Sequence, residues 1–283
     1  YDAKDANEQI KKTAIDNWVA ARKKVAGNEQ EPQIYTDRNN PENYSSFLNC
    51  TTNAFDTAVK TLNSRLESVK PDDANIKNWL QAQDIIFASC DTGKDIPSEA
   101  AKDAPDWLKK DRAYQIAAGY FYTMQYDEAK KRFQEIALDK NSPWYETAQL
   151  LLARISLRQA NGLLGDDTQR DKMAGLYKET EQKLTKILKD ERLKSIHGSA
   201  QGLLNMVQFH TQPEKWQATK STPWLIASLM KANKDSAELN HLISAAKAIE
   251  KKSSAYLTAA YHIIRLDIEL GQTDEARTLA DDI

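Results

Sequence analysis

Residues 120–139, YFYTMQYDEAKKRFQEIALD, decide the fold. They hold the end of one helical pattern and the start of the next. The first begins upstream, in DWLKKDRAYQIAAGYFYTM. It places Trp107, Ala113, Ile116, Ala117, Tyr120 and Met124 mostly at i, i+3, i+4 and i+7 spacings, the mark of one buried helix face. The tripeptide Gln125-Tyr126-Asp127 breaks it. The second pattern, EAKKRFQEIALD, carries Ala129, Phe133, Ile136 and Ala137. Small side chains at Ala117 and Ala129 let two helices approach closely, while Tyr120, Phe133 and Ile136 fill the space around them. The stretch predicts an antiparallel helix pair.

The same pattern returns near the other end. AAYHIIRLDIELGQTDEARTLADDI puts Ile263, Ile264, Gly271, Ala276 and Ile283 at the offsets of Ile116, Ala117, Met124, Ala129 and Ile136. GQTDEA matches MQYDEA in turn chemistry, whereas Asp267 stands where Tyr120 stood. NSPW at 141–144 and STPW at 221–224 each read as a polar N-cap followed by Pro at the first helical position. These two tetrapeptides lie 80 residues apart, and Ala129 and Ala276 lie 147 apart. One insertion of about a dozen residues in a repeat of about 34 accounts for both. The Gly- and Asp-rich NGLLGDDTQRD, 161–171, is placed to be it. Between the two units, KMAGLYKETEQKLTKILKD and RLKSIHGSAQGLLNMVQFH each read as one helix, and TQPEKWQATKS supplies no second helix.

On Ile116, Ala117, Tyr120, Tyr126, Ala129, Phe133 and Ile136, the chain resembles the tetratricopeptide-repeat family, most clearly over 105–160 and 254–283. It departs at the family's early Trp, which falls on Ala113, and at the closing Pro, which falls late, at Pro143. The resemblance implies an all-α, right-handed superhelix of helix pairs with a concave inner surface lined by the first helix of each pair. The groove positions fall on Asp111, Tyr114, Ala118, Phe121 and Tyr122, then Tyr145, Ala148 and Leu152, then Thr258, Tyr261, Arg265 and Glu269. As a recognition surface these reduce to Tyr114, Phe121, Tyr122, Tyr145, Tyr261 and Arg265, since rigid aromatics bury area at low entropic cost. The same tyrosines fit packing between units equally well. The partner implied is a protein or peptide.

Upstream, residues 5–25 read as a helix with Ile10, Ala14, Trp18, Ala21 and Val25 on one face. The polar AGNEQEPQIYTDRNNPE, 26–42, reads as a long irregular loop. Two more helical patterns follow, one with Phe47, Leu48, Phe55, Val59, Leu62 and Leu66, the other with Ile76, Leu80, Ile85 and Ile86. KPDD separates them and offers an Asp N-cap. Folded as an antiparallel hairpin, they bring Cys50 and Cys90 to similar height. A disulfide there closes a loop of about 40 residues and contributes roughly 4 kcal/mol in the chain-entropy account; two buried free thiols are the alternative. A bridge places the protein in an oxidising compartment, periplasmic or extracellular. The expected division is an N-terminal helical segment, 1–98, and a repeat domain, 99–283. The chain starts at Tyr1 without a Met, so either a removed leader or a piece of a longer protein is expected, and it stops within a helical pattern, so a continuation is expected.

Chemistry is sparse in the rest. A formal charge of −2 and a pI near 6.2 give no reason to expect nucleic acid or an anionic membrane. The longest apolar runs fall far short of the roughly 20 residues that span a bilayer. His197, His210, His241 and His262 fall at no metal-ligand spacing, and no phosphate loop, dinucleotide glycine fingerprint or nucleophile elbow occurs. No cofactor is expected. The sequons at Asn43 and Asn49 are too short to weigh. A non-catalytic scaffold or binding module is the leading expectation. Two others remain open through the resemblance: a helical region ahead of a lytic-transglycosylase-like catalytic domain, and a glycan-binding surface protein.

Overall fold

A computed structural model describes residues 2–30, 32, 34, 49–90, 95–212, 221–236 and 238–283, with the first seven of these described as backbone. Twelve α-helices and no strand occur among the described residues. The protein is all-α.

The N-terminal core is built by α1 (Asp2–Arg22), α2 (Thr52–Leu66) and α3 (Ala74–Ala88). Helix α1 buries Ala14, Trp18 and Ala21, and Val25 follows just past its end. Ile10, expected on that face, is 55% exposed because it lies a turn before the buried patch begins. The helix also stops three residues short of Val25. Lys24 and Val25 donate to the carbonyls three residues back, tightening the exit, and the chain turns away at Gly27 with φ 81°. Trp18 meets the edges of Phe87 at 5.2 Å and Trp79 at 6.4 Å, and Phe55 tilts against Phe87 at 4.5 Å. Such pairs add to the area they bury. Arg22 closes the arrangement: it donates to both carboxylate oxygens of Asp84 and to the Gln30 carbonyl.

The α2–α3 hairpin is as its sequence reads. Asp73 caps α3, its carboxylate accepting from the Asn75 amide at 2.6 Å. Cys50 precedes α2 and Cys90 follows α3. Their Cα atoms are 5.8 Å apart and the pair is disulfide-bonded. Ile85 points outward, beside the buried Ile86, because the face of α3 toward α1 and α2 is centred on Trp79, Leu80 and Gln83. Phe47 and Leu48, and most of the loop expected at 26–42, lie outside the described residues.

The next helices are α4 (Asp106–Tyr122), α5 (Tyr126–Leu138), α6 (Tyr145–Asn161), α7 (Arg170–Lys189) and α8 (His197–Thr211). Each packs against its successor. Ala117 and Ala129 are fully buried at the α4–α5 crossing, with Phe133 and Ile136 around them. Met124 is not part of that face: it is 63% exposed and takes φ 59° in the turn after α4. The α6–α7 connection runs over 162–169, against 123–125 between α4 and α5, and α7 has 20 residues where α5 has 13. The link is thus five residues longer and the helix seven, so the dozen extra residues are shared between link and α7 and are not confined to 161–171 as expected. The segment expected as one helix from Arg192 divides. Residues Glu191–Ile196 form a 3-10 stretch opened by the Asp190 side chain, and α8 begins only at His197. Residues 213–220, expected to hold no helix, are outside those described.

Four more helices follow: α9 (Thr222–Lys231), α10 (Leu239–Lys247), α11 (Tyr256–Glu269) and α12 (Thr273–Asp281). The self-similarity seen in sequence is geometric. Met124 and Gly271 both take positive φ, 59° and 77°; Gln125 and Gln272 each donate to the carbonyl five residues back; and Ala129 and Ala276 are buried. STPW does open α9, but Ser221 is the residue before the helix, Thr222 is its first residue and Pro223 its second, one position later than read. NSPW does not start a helix that way. Pro143 sits in a turn, and α6 begins at Tyr145 with Ser142 accepting from the Trp144 amide. That turn recurs before α11, where Ser253 accepts from the Ala255 amide.

Candidate functional site

Helix α2 lies across from α4, and a cleft runs between them. One wall is the Ala54, Thr57, Ala58 and Thr61 face of α2, at helical spacing. The other is Tyr114, Ala118 and Tyr122 of α4, with Trp144 from the turn before α6. Trp79, Gln83, Ile86 and Phe87 of α3 form the floor. The cleft is narrow, with about 30 Å³ open to water-sized occupants. It exists because small side chains face each other across it: Ala58 and Ala118 leave room that a leucine would fill.

Both ends of the cleft are tied. At one, Arg65 of α2 donates from Nε and Nη2 to the two carboxylate oxygens of Asp111, at 2.9 and 2.8 Å. Asp111 has no exposed surface, and its Oδ1 also accepts from Trp144 Nε1 at 2.9 Å. The bond to Asp111 holds the Arg65 guanidinium above its usual pKa. Arg65 also lies 5.5 Å over the Trp107 ring. At the other end, Asn49, next to the disulfide, donates to the Tyr122 carbonyl at 2.9 Å and accepts from Arg158 at 2.7 Å. Its amide is thus committed to packing. Beneath the floor, Arg112 binds Gln115, the Ser98 carbonyl and Asn78, and Gln115 donates to the Trp79 carbonyl and to Gln83. These bonds join the N-terminal core to α4, and Leu108 of α4 is itself a member of that core.

The groove residues expected from sequence separate in the structure. Tyr114 and Tyr122 line the cleft, and Tyr114 stacks on Trp144 at 3.8 Å with rings 7° from parallel. Burial pushes both phenols above their usual pKa, so both are protonated donors at neutral pH. Phe121 is 3% exposed, under the Arg158 guanidinium at 4.0 Å. Tyr145 packs into the core shared by α6, α7 and α8. Tyr261 is far from these: it is 63% exposed on α11, along one stripe with the exposed Leu257 and Ile268. Arg265 donates to the Leu229 and Ala232 carbonyls at the end of α9, capping that helix, and pairs with Glu269.

Arg154 was not singled out by sequence. Trp144 meets Tyr114 and Arg158 meets Phe121, so α6 runs beside α4 in the same direction. Arg154, one turn before Arg158, therefore faces the stretch of α4 between Tyr114 and Tyr122. Among the described residues it makes no hydrogen bond or ion pair, and it is half-buried. In the sequence it looks like any other solvated helix charge.

A nucleophile-and-base pairing also occurs, Ser156 Oγ with Lys183 Nζ at 2.9 Å. Ser156 has no exposed surface, Lys183 also donates to the Leu152 carbonyl, and Glu179 neutralises it at 2.6 Å. The pair is a bond between α6 and α7. Among the described residues no group of three or more His, Cys, Asp or Glu is placed to hold a metal ion, and no helix is long and apolar enough to cross a membrane. Comparison with family models, curated proteins and solved structures finds no match to the chain, so its folding units and its cleft are characterised by their own geometry.

Proposed function

We propose that the chain is a non-catalytic binding module for a protein or peptide, a tetratricopeptide-like right-handed superhelix carrying an N-terminal hairpin. One observation carries the reading. The α2–α4 cleft is walled by Tyr114, Tyr122 and Trp144, and the two tyrosine hydroxyls make no hydrogen bond among the described residues. Buried hydroxyls in a packed core find partners; two unspent ones on a cleft wall are free for a ligand. The repeated turns at Met124–Gln125 and Gly271–Gln272 support the repeat architecture. The Cys50–Cys90 bridge is compatible with an exported protein in an oxidising compartment.

The test is capture of partners by the immobilised protein, compared with a variant in which Tyr114 and Tyr122 are both changed to Ala and Tm is retained. Loss of a specific partner supports the reading. Identical capture by the two proteins removes the cleft from it.

A further inference from the structure

Helix α11 turns two stripes inward. Ala259, Ile263 and Leu266 belong to the core it shares with α9 and α10. Ala260, Ile264 and Asp267 repeat that spacing one residue later, turned by about 100° around the helix. Besides α9 and α10, the helix packed on α11 is α12, so α12 covers the second stripe. Under it Asp267 is 1% exposed, and among the described residues neither carboxylate oxygen has a hydrogen-bond partner. The first helix pair shows how differently this place can be filled. Asp267 matches Tyr120, whose ring lies 5.9 Å from the Arg132 guanidinium of α5. Helix α5 is held down by Ala129, Phe133 and Ile136, all buried. Their counterparts at α12 are Ala276, Ala280 and Ile283; Ala276 is buried, but Ala280 is exposed and Ile283 is 54% exposed. Helix α12 therefore rests on a small apolar contact with a carboxyl group inside it.

We propose that α12 is a proton-operated latch: it docks on α11 while Asp267 carries a proton and lifts away when the carboxylate forms. A charged carboxylate without partners is costly to bury, and lifting α12 returns it to water. The charges that reach it from the neighbouring helices are Lys247 of α10 and Glu275 of α12, opposite in sign. Lys231, the charged residue of α9, donates to the His210 carbonyl. On α11 itself, Arg265 and Glu269 pair with each other. Burial outweighs Lys247 and pushes Asp267 above the usual carboxylate range. The docked state thus holds the proton more tightly than the undocked one. Docking is strongest below the ordinary carboxylate pKa and weakens as pH rises through the raised value. Release uncovers Ala260 and Ile264 beside the already exposed Tyr261 and Ile268, which widens the apolar strip of α11.

A helix of nine residues does not persist alone in water, so its amides report docking. The experiment follows hydrogen exchange of the amides of 277–281 from about pH 4 to about pH 8. Rates are expressed as protection relative to the unstructured chain, which cancels the pH dependence of exchange itself. Amides of α6 and α7 in the same protein are the reference for global unfolding. Asp267→Asn and Asp267→Leu are measured in parallel, one keeping the shape and the other removing the polar group. The expected result is a fall of about tenfold in α12 protection as pH rises, with α6 and α7 unchanged. Both variants keep a constant α12 protection across the range. Wild-type α12 protection that ignores pH overturns the latch, as does a fall shared by α6 and α7. The same fall persisting in the variants also overturns it, and assigns the effect to Glu275, Asp281 or Asp282.

Discussion

Arg65 and Asp111, 46 residues apart, are joined by two hydrogen bonds across the α2–α4 cleft, and Trp144 shares the same carboxylate. One fully buried charge thus fixes the hairpin, the first helix pair and the start of the next pair relative to one another. Arg65→Ala leaves that carboxylate uncompensated and lowers stability by about 3 to 5 kcal/mol. Asp111→Asn retains an acceptor for Trp144 and costs less. Urea denaturation of the two variants gives the order, and equal losses would remove the buried charge as the cause.

The Cys50–Cys90 bridge holds Asn49 against Tyr122 and Arg158. Replacing both cysteines by Ser lowers stability by about 4 kcal/mol in the chain-entropy account. Non-reducing mass spectrometry of the native protein finds no free thiol. Wild-type protein in reductant matches the double variant, because both lose the same constraint on the unfolded chain.

Met124 and Gly271 occupy equivalent turns with positive φ, where a side chain is strained by roughly 1 kcal/mol. Met124→Gly therefore stabilises the protein by a few tenths to about 1 kcal/mol. Gly271→Ala destabilises it by about 1 kcal/mol. Thermal melts of the two variants move in opposite directions.

Asp267 of α11 is 1% exposed, and among the described residues neither carboxylate oxygen has a hydrogen-bond partner. Burial pushes its pKa above the usual carboxylate value, helped by Glu275 and opposed by Lys247. The sign follows: this site is least costly when Asp267 is protonated, and its relative stability falls as pH rises from the ordinary carboxylate range through the raised folded value. Asp267→Asn gains about 1 kcal/mol at neutral pH and progressively less in acid. A gain independent of pH would rule out ionisation as the cost.

Local features were legible in the sequence. Ala117 and Ala129, the Asp73 cap and the paired cysteines all follow from spacing within one or two elements. Periodicity failed where a residue lies on the right face but beyond its partner surface, as with Ile10, or past the helix end, as with Met124. The site is less legible for the same reason in reverse. Tyr114 and Tyr122 were found because aromatics at groove offsets attract notice. Arg154 looks like any charged helix residue, and its lack of a hydrogen bond or ion pair among the described residues shows only in the folded chain. Asp111 stood among the groove positions, yet it is occupied by an arginine two helices away that no local window contains.

From α4 to α8, neighbours in sequence are neighbours in space. A chain arranged that way yields to mechanical load piece by piece. Stretched from its two termini, the protein would lengthen in steps the size of one or two helices. The segment from Cys50 to Cys90 would add nothing to the extension until a reductant cut the sulfur bond, and the missing length would measure that loop directly.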